Sequence, residues 1–216
     1  LLLLGHGLFS FGADARESYE RHLVAVTRAE HFVARAARVQ VQVPAAEPRD
    51  FIAVAPLLRG RLGGGVLHWR PVPEAMSFAA DEQVRSLAQR GPVTPDHVIR
   101  TKQKPLLVDL LACAEAERGP VLAQALDRYT TDYRAYFKDQ CEARGVSRVM
   151  LDALPRVLLV PGLGLITAGA DEGAARVAAD LYEHTIAVIR DAEAIGSYQA
   201  LPDGDIFDME YWSLEQ

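Results

Sequence analysis

Apolar and polar positions divide this chain into strand-like runs ending at glycine turns and long segments of helical period. Residues 1–4 are four leucines and read as a buried strand; Gly5 and Gly7 bound a tight turn, and residues 8–11 read as a strand returning beside the first. Asp14 stands where a helix should start, its carboxylate able to accept from the free amides of the first turn, and Glu17 follows three residues on as in a capping box. That helix is expected to reach about residue 38 and to bury a stripe of Ala25, Ala29, Phe32 and Ala36. Residues 40–49, with Pro44 and Pro48, read as a linker. Helices are then expected over 51–62, 81–90 and 120–144, and short strands over 66–69 and 106–108. Residues 94–102 read as a polar loop or a single helical turn. Residues 156–160 are a strand, 165–168 its partner, and a helix starts at Asp171. Its Ala174, Val177, Ala178, Leu181, Thr185, Val188 and Ile189 follow i, i+3, i+4, i+7 spacing. After Gly196 the chain reads as a tail that stops on an amphipathic helix. Strands joined by short turns, without strict alternation, predict an α/β fold with a mostly antiparallel or mixed sheet covered by helices.

The two glycine turns are nearly the same. Residues 5–14, GHGLFSFGAD, align with residues 162–171, GLGLITAGAD, and six of the ten positions are identical. His6 in the first copy is Leu163 in the second. A shared local design thus carries a potential metal ligand in one copy and none in the other.

Composition narrows the function classes. Half of the 216 residues are apolar, enough for a core, and the net charge of -6, with basic residues scattered, argues against a nucleic-acid surface. Cys113 and Cys141 have no CxxC spacing and read as partly buried thiols in a reducing, cytoplasmic compartment. No apolar run approaches the roughly 20 residues of a membrane span. The chain opens on leucines without Met or a basic region, so the first strand reads as a cut edge and not as a signal peptide.

A strand, a Gly-His-Gly turn, a second strand and a helix resemble the C-terminal third of the class II aldolase/adducin family. The stretch from Gly91 to Asp96 followed by residues 106–109 resembles the middle of such a domain. The resemblance implies a three-layer α/β/α fold and three units. Residues 1–39 are the C-terminal remnant of a first aldolase-like domain, 47–196 a second, degenerate one, and 197–216 a tail leading to a further domain. The segments around His97 to Lys102, Pro161 to Leu165 and Asp208 to Gln216 resemble, more narrowly, fusions of a rhamnulose-1-phosphate aldolase-like half with a short-chain alcohol dehydrogenase. In such a parent, His6 is expected to be one of several imidazole ligands to a divalent metal, zinc by ligand type. The metal would serve aldol cleavage of a ketose phosphate, and NAD(P) would belong to the dehydrogenase alone. This fragment is expected to hold no cofactor, to have no identifiable catalytic residue, and to be inactive by itself. A non-catalytic adducin-like scaffold that mediates oligomerisation is the rival expectation.

Other candidates have bland and functional readings. Thr94, His97, Arg100 and Lys102, with Lys104, could hold a substrate phosphate or carboxylate, or be a solvated loop. Tyr129, Tyr133 and Tyr136 read as a packing stripe at an interface, and His68 as a packed histidine. Tyr182, Glu183 and His184 point to different faces of one helix and give no dyad. Gly162 and Gly164 do not open directly into a helix, as a dinucleotide site requires. The expected partners are a small sugar substrate in the parent and further copies of the chain, with no nucleic acid and no membrane.

Overall fold

Segments far apart in sequence build the central sheet. This computed structural model describes residues 1–3, 7–36 and 42–212. The chain runs β1 (Leu2–Leu3), β2 (Gly7–Leu8), α1 (Ala15–Ala34), α2 (Pro48–Arg61), β3 (Val66–Arg70), α3 (Pro73–Ala80) and α4 (Val84–Leu87). A 3-10 turn (Pro95–His97) leads into α5 (Val98–Thr101), β4 (Leu106–Leu107), α6 (Glu115–Arg144), β5 (Val157–Val160), β6 (Gly164–Gly169), α7 (Glu172–Ile195) and α8 (Asp203–Glu210). The main sheet has the order β3-β6-β5-β4. β6 is antiparallel to both neighbours and β4 is parallel to β5, so the sheet is mixed, as expected.

Period-2 alternation places helices on both faces. Val157, Leu159 and Leu165 join a core with Phe78 of α3, Leu87 of α4 and Ile186 of α7. Leu158, Val160 and Ile166 join the opposite core with Val54 and Leu58 of α2 and Leu122 of α6. All four residues of β5 are fully buried. The result is three layers, and each fully buried aliphatic side chain contributes roughly 1.5–3 kcal/mol of transfer free energy.

Several expectations need correction. The helix expected over 81–90 is only α4, and α3 precedes it. Ala75 to Ala79 are buried together, so α3 has no polar face and shows no helical period. α6 starts at Glu115, ahead of Pro120, where the Glu117 carboxylate accepts from the Ala114 amide at 3.3 Å. α1 has no buried residue: Ala25 and Ala36 are half-buried, Ala29 is exposed and Phe32 is 55 % exposed, so the expected stripe is not buried. Residues 203–210 do not trail as a tail. They form α8, whose Ile206 and Phe207 are buried and which Arg144 of α6 ties down through Asp208.

The two similar segments take the same local course wherever both are described. Leu2 pairs with Leu8 and Leu3 with Gly7, as Leu159 pairs with Leu165 and Val160 with Gly164. Asp14 caps α1 by accepting from the Glu17 amide, and Asp171 caps α7 by accepting from the Ala174 amide. Gly12 and Gly169 precede these caps. A Cβ on either would collide with the first turn of the helix, at Ser18 N or Ala175 N respectively. A bare Cα is what lets each strand run directly under its helix.

Gly169→Ala should therefore destabilise the fold by ~1–3 kcal/mol through overpacking. Urea denaturation followed by circular dichroism measures this, and Gly119→Ala, whose Cβ would meet no atom within 4 Å, is the control that should show no such loss.

Candidate functional site

The glycine turn between β5 and β6 is sealed with hydrocarbon. Gly162 and Gly164 both have positive φ, 81° and 78°, which the sharp reversal requires. Leu163 between them is 0 % exposed and packs into the core shared with α2 and α6. Its carbonyl accepts from Trp69 Nε1 at 2.8 Å, and the indole stacks on Phe51 with centroids 4.8 Å apart. A Cβ on Gly164 would press on Met76, and one on Gly162 on Leu111. No polar ligand could be presented here without repacking. His6, the corresponding position of the first segment, lies outside the described residues. Among the described residues, which do not include His6, no group of three His, Cys, Asp or Glu is placed to hold a metal ion.

The residues read as a possible anion site are not brought together. Thr94 and His97 are half-buried and Arg100 is exposed. Lys102 turns inward. It is 6 % exposed, adopts φ 63°, and lies 4.2 Å over the Tyr133 ring centroid. Its Nζ donates to Tyr133 Oη at 2.9 Å and stands 3.5 Å from Glu210 Oε1. His97 instead meets His184 of α7 edge to face, centroids 6.3 Å apart, and its Nδ1 is buried with no hydrogen-bond partner among the described residues. Burial, then the His184 charge, holds the His97 imidazole below its usual range, against the pull of Asp96. Glu183 forms a salt bridge with Arg70 of β3, which also reaches Asp180. His68 is half-buried, its Nε2 3.4 Å from Arg70 Nε.

Sequence reasoning missed Glu210. Its carboxylate accepts from Tyr133 Oη at 2.7 Å, and Tyr133 Oη lies 2.8 Å from Tyr211 Oη. Tyr211 in turn accepts from the Leu151 amide at 3.3 Å. Two of the three tyrosines of the stripe, Tyr133 and Tyr136, thus pack against α8 and Tyr211 of their own chain, and Tyr129 packs on the core under β4 and β5. Desolvation outweighs the ion pair on both sides: Lys102 is held below its ordinary range and Glu210 above its own. Beside this network, a cavity of ≈ 340 Å³ opens between α6 and the start of α8. A neighbouring hollow of ≈ 430 Å³ shares Gln89, Tyr129 and Asp132 with it.

Two outcomes follow from the network. Lys102→Met leaves Glu210 buried without its cation and should cost ~3–5 kcal/mol, whereas adding Glu210→Met should recover most of that loss; denaturant midpoints of the three proteins measure it. The pH dependence has a definite sign. A carboxyl raised on folding contributes stability that is complete below its ordinary value of 4.5 and is lost as pH rises through its folded value. The stability difference, wild type minus Glu210→Gln, should therefore grow as pH falls from neutral toward 4.5, as read from urea midpoints at successive pH values.

Residues 49–216 match the family model described as aldolase class II, second domain. The uncharacterized oxidoreductase YuxG of Bacillus subtilis (strain 168) is 26 % identical over 231 residues, which cover 100 % of this chain and 33 % of that protein. The chain thus spans about a third of the length of the curated relative it matches. No solved structure matches. Together with the three-layer α/β/α architecture, these findings place the chain in the class II aldolase family, as a second domain of that kind.

Proposed function

We propose that this chain is the non-catalytic second aldolase-like unit of a longer, sugar-metabolising protein that joins a class II aldolase half to a short-chain dehydrogenase. The observation that carries the proposal is Leu163. The register and cap shared by the two glycine segments align it with His6, yet its side chain lies in the core. In this reading the segments arose by duplication, residues 1–39 belong to a first unit, and His6 is a metal ligand only there. Aldol cleavage of a ketose phosphate and any NAD(P)-dependent step belong to the rest of the parent, in the cytoplasm. The oxidoreductase name of the Bacillus subtilis relative supports the dehydrogenase part of the reading.

A second reading, an adducin-like scaffold, rests on a different observation. Leu1 and Leu2 beside Phe11 are 70 %, 67 % and 70 % exposed, and β1–β2 is a ladder of only two strands. Such a surface favours pairing with another strand, from the parent or from a second copy of the chain.

Metal analysis of the full-length parent separates the two readings. The enzyme reading expects stoichiometric zinc that is lost on His6→Ala. No metal, with assembly intact, supports the scaffold. This chain alone should neither cleave a ketose 1-phosphate nor oxidise a sugar alcohol with NAD(P); turnover above background would overturn the proposal.

A further inference from the structure

We propose that α1 pairs antiparallel with α1 of a second copy of this chain. The pairing draws on the equivalence of the two glycine segments but not on the activity of the parent, so it stands or falls apart from the zinc test. α1 is apolar on more of its surface than the helix it repeats. Counted from the capping aspartates, Asp14 and Asp171, the core residues Ala179, Tyr182, Ile186 and Ile189 of α7 correspond to His22, Ala25, Ala29 and Phe32 of α1. The sheet of a first unit would cover that side. Tyr19, Leu23 and Val26 lie on another side of α1, at i, i+4 and i+7. Their counterparts in α7 are Arg176, Asp180 and Glu183, and the two acids bind Arg70 of β3. Where α7 carries charge, α1 thus carries apolar side chains, 64 %, 46 % and 37 % exposed. A unit of this fold does not call for them, so their cover comes from outside it.

The charges at the two ends of this stripe identify the cover. Arg16, Leu23 and Glu30 follow one another at heptad spacing and lie on one side of the helix, with Leu23 midway. Arg16 and Glu30 are both exposed. A two-fold axis through Leu23 sets Arg16 of each copy opposite Glu30 of the other. It also stacks leucine on leucine, with Tyr19 and Val26 beside them. Parallel pairing would place arginine against arginine and glutamate against glutamate, and would align the two helix dipoles. The stripe is therefore self-complementary in one orientation. Arg16 Nε donates to Glu20 Oε1 at 2.8 Å, which leaves the terminal guanidinium N–H groups for a second carboxylate. A helix of 20 residues spans about 30 Å. A seam of that length lies near the roughly 1,200 Å² that marks the low end of specific interfaces, and gives a reversible dimer and not an obligate one.

Sedimentation equilibrium of the chain at low salt tests the pairing. A reversible dimer is expected at micromolar concentration. Leu23→Glu, which puts two carboxylates on the axis, should weaken it by about tenfold or more. Arg16→Glu and Glu30→Arg should each weaken it about fivefold, and the two together should return the affinity to within about twofold of wild type. The double variant still lacks the ion pair of Arg16 with Glu20, so its recovery reports the contact between copies and not the stability of the helix. Ala29→Glu, an exposed position on the side that corresponds to the core of α7, should leave the dimer unaltered. The proposal is overturned if the chain stays monomeric at several hundred micromolar. It also fails if Ala29→Glu weakens the dimer as much as Leu23→Glu does, or if the double variant is no tighter than either single reversal.

Discussion

A strand buried on both faces sets the plan of this molecule. Val157 to Val160 carry no polar side chain, and alternation sends neighbouring residues into opposite cores. A strand of this composition must be covered on two sides and must have its backbone groups paired on two edges. β6 and β4 supply the edges; α7 and α3 cover one face, and α2 and α6 the other. The β5–β6 turn follows from the same demand. With both flanking strands buried, the loop between them is buried too, and its central residue has to be apolar. Leu163 satisfies that condition, where a histidine would need a ligand or a hydrogen-bond partner at the same depth.

A second constraint acts at the other end of the molecule. Lys102 is a lysine in a backbone region that favours glycine, with its charge almost removed from water. Such a residue persists only where its surroundings over-determine it. Here they do so through Glu210, Tyr133 and the packing of α8. The buried pair is a poor source of net stability, but it gives α8 a charged anchor, since Glu210 is the residue of that helix that meets the ammonium. The pair therefore fixes where the helix sits, while Phe207 and Tyr211, stacked at 4.6 Å, supply much of the buried area.

Much of the fold was legible because its strongest signals are local. Asp14 and Asp171 cap as their position before a periodic segment requires, and the VLLV run became the central strand. α3 was invisible, since a short helix buried all round has no period to detect. The extent of α6 was underestimated because Pro120 suggested a start, whereas the helix begins at Glu115 and runs through Pro120 with the loss of one i→i−4 bond. The polar network was least legible. Lys102 sits among charged neighbours in sequence and reads as part of a basic loop, while its partners are Tyr133 and Glu210. Only the tertiary fold turns that side chain away from Arg100. The tyrosine spacing on α6 did point to a packed face; what it could not reveal was that α8 of the same chain would cover it.

The docking of α8 also has a consequence for how the chain is made. Gln103 and Asp203, which bond to each other, are 100 residues apart, and Tyr133 and Glu210 are 77 apart. During vectorial synthesis, Lys102 and the tyrosine face of α6 leave the ribosome long before their partners do. Until α8 emerges, the lysine remains hydrated and the aromatic surface is open to solvent and to chaperones. Closure of this core is therefore timed by α8, and a chain truncated before residue 203 would keep its central sheet but lack the segment that covers Lys102 and Tyr133.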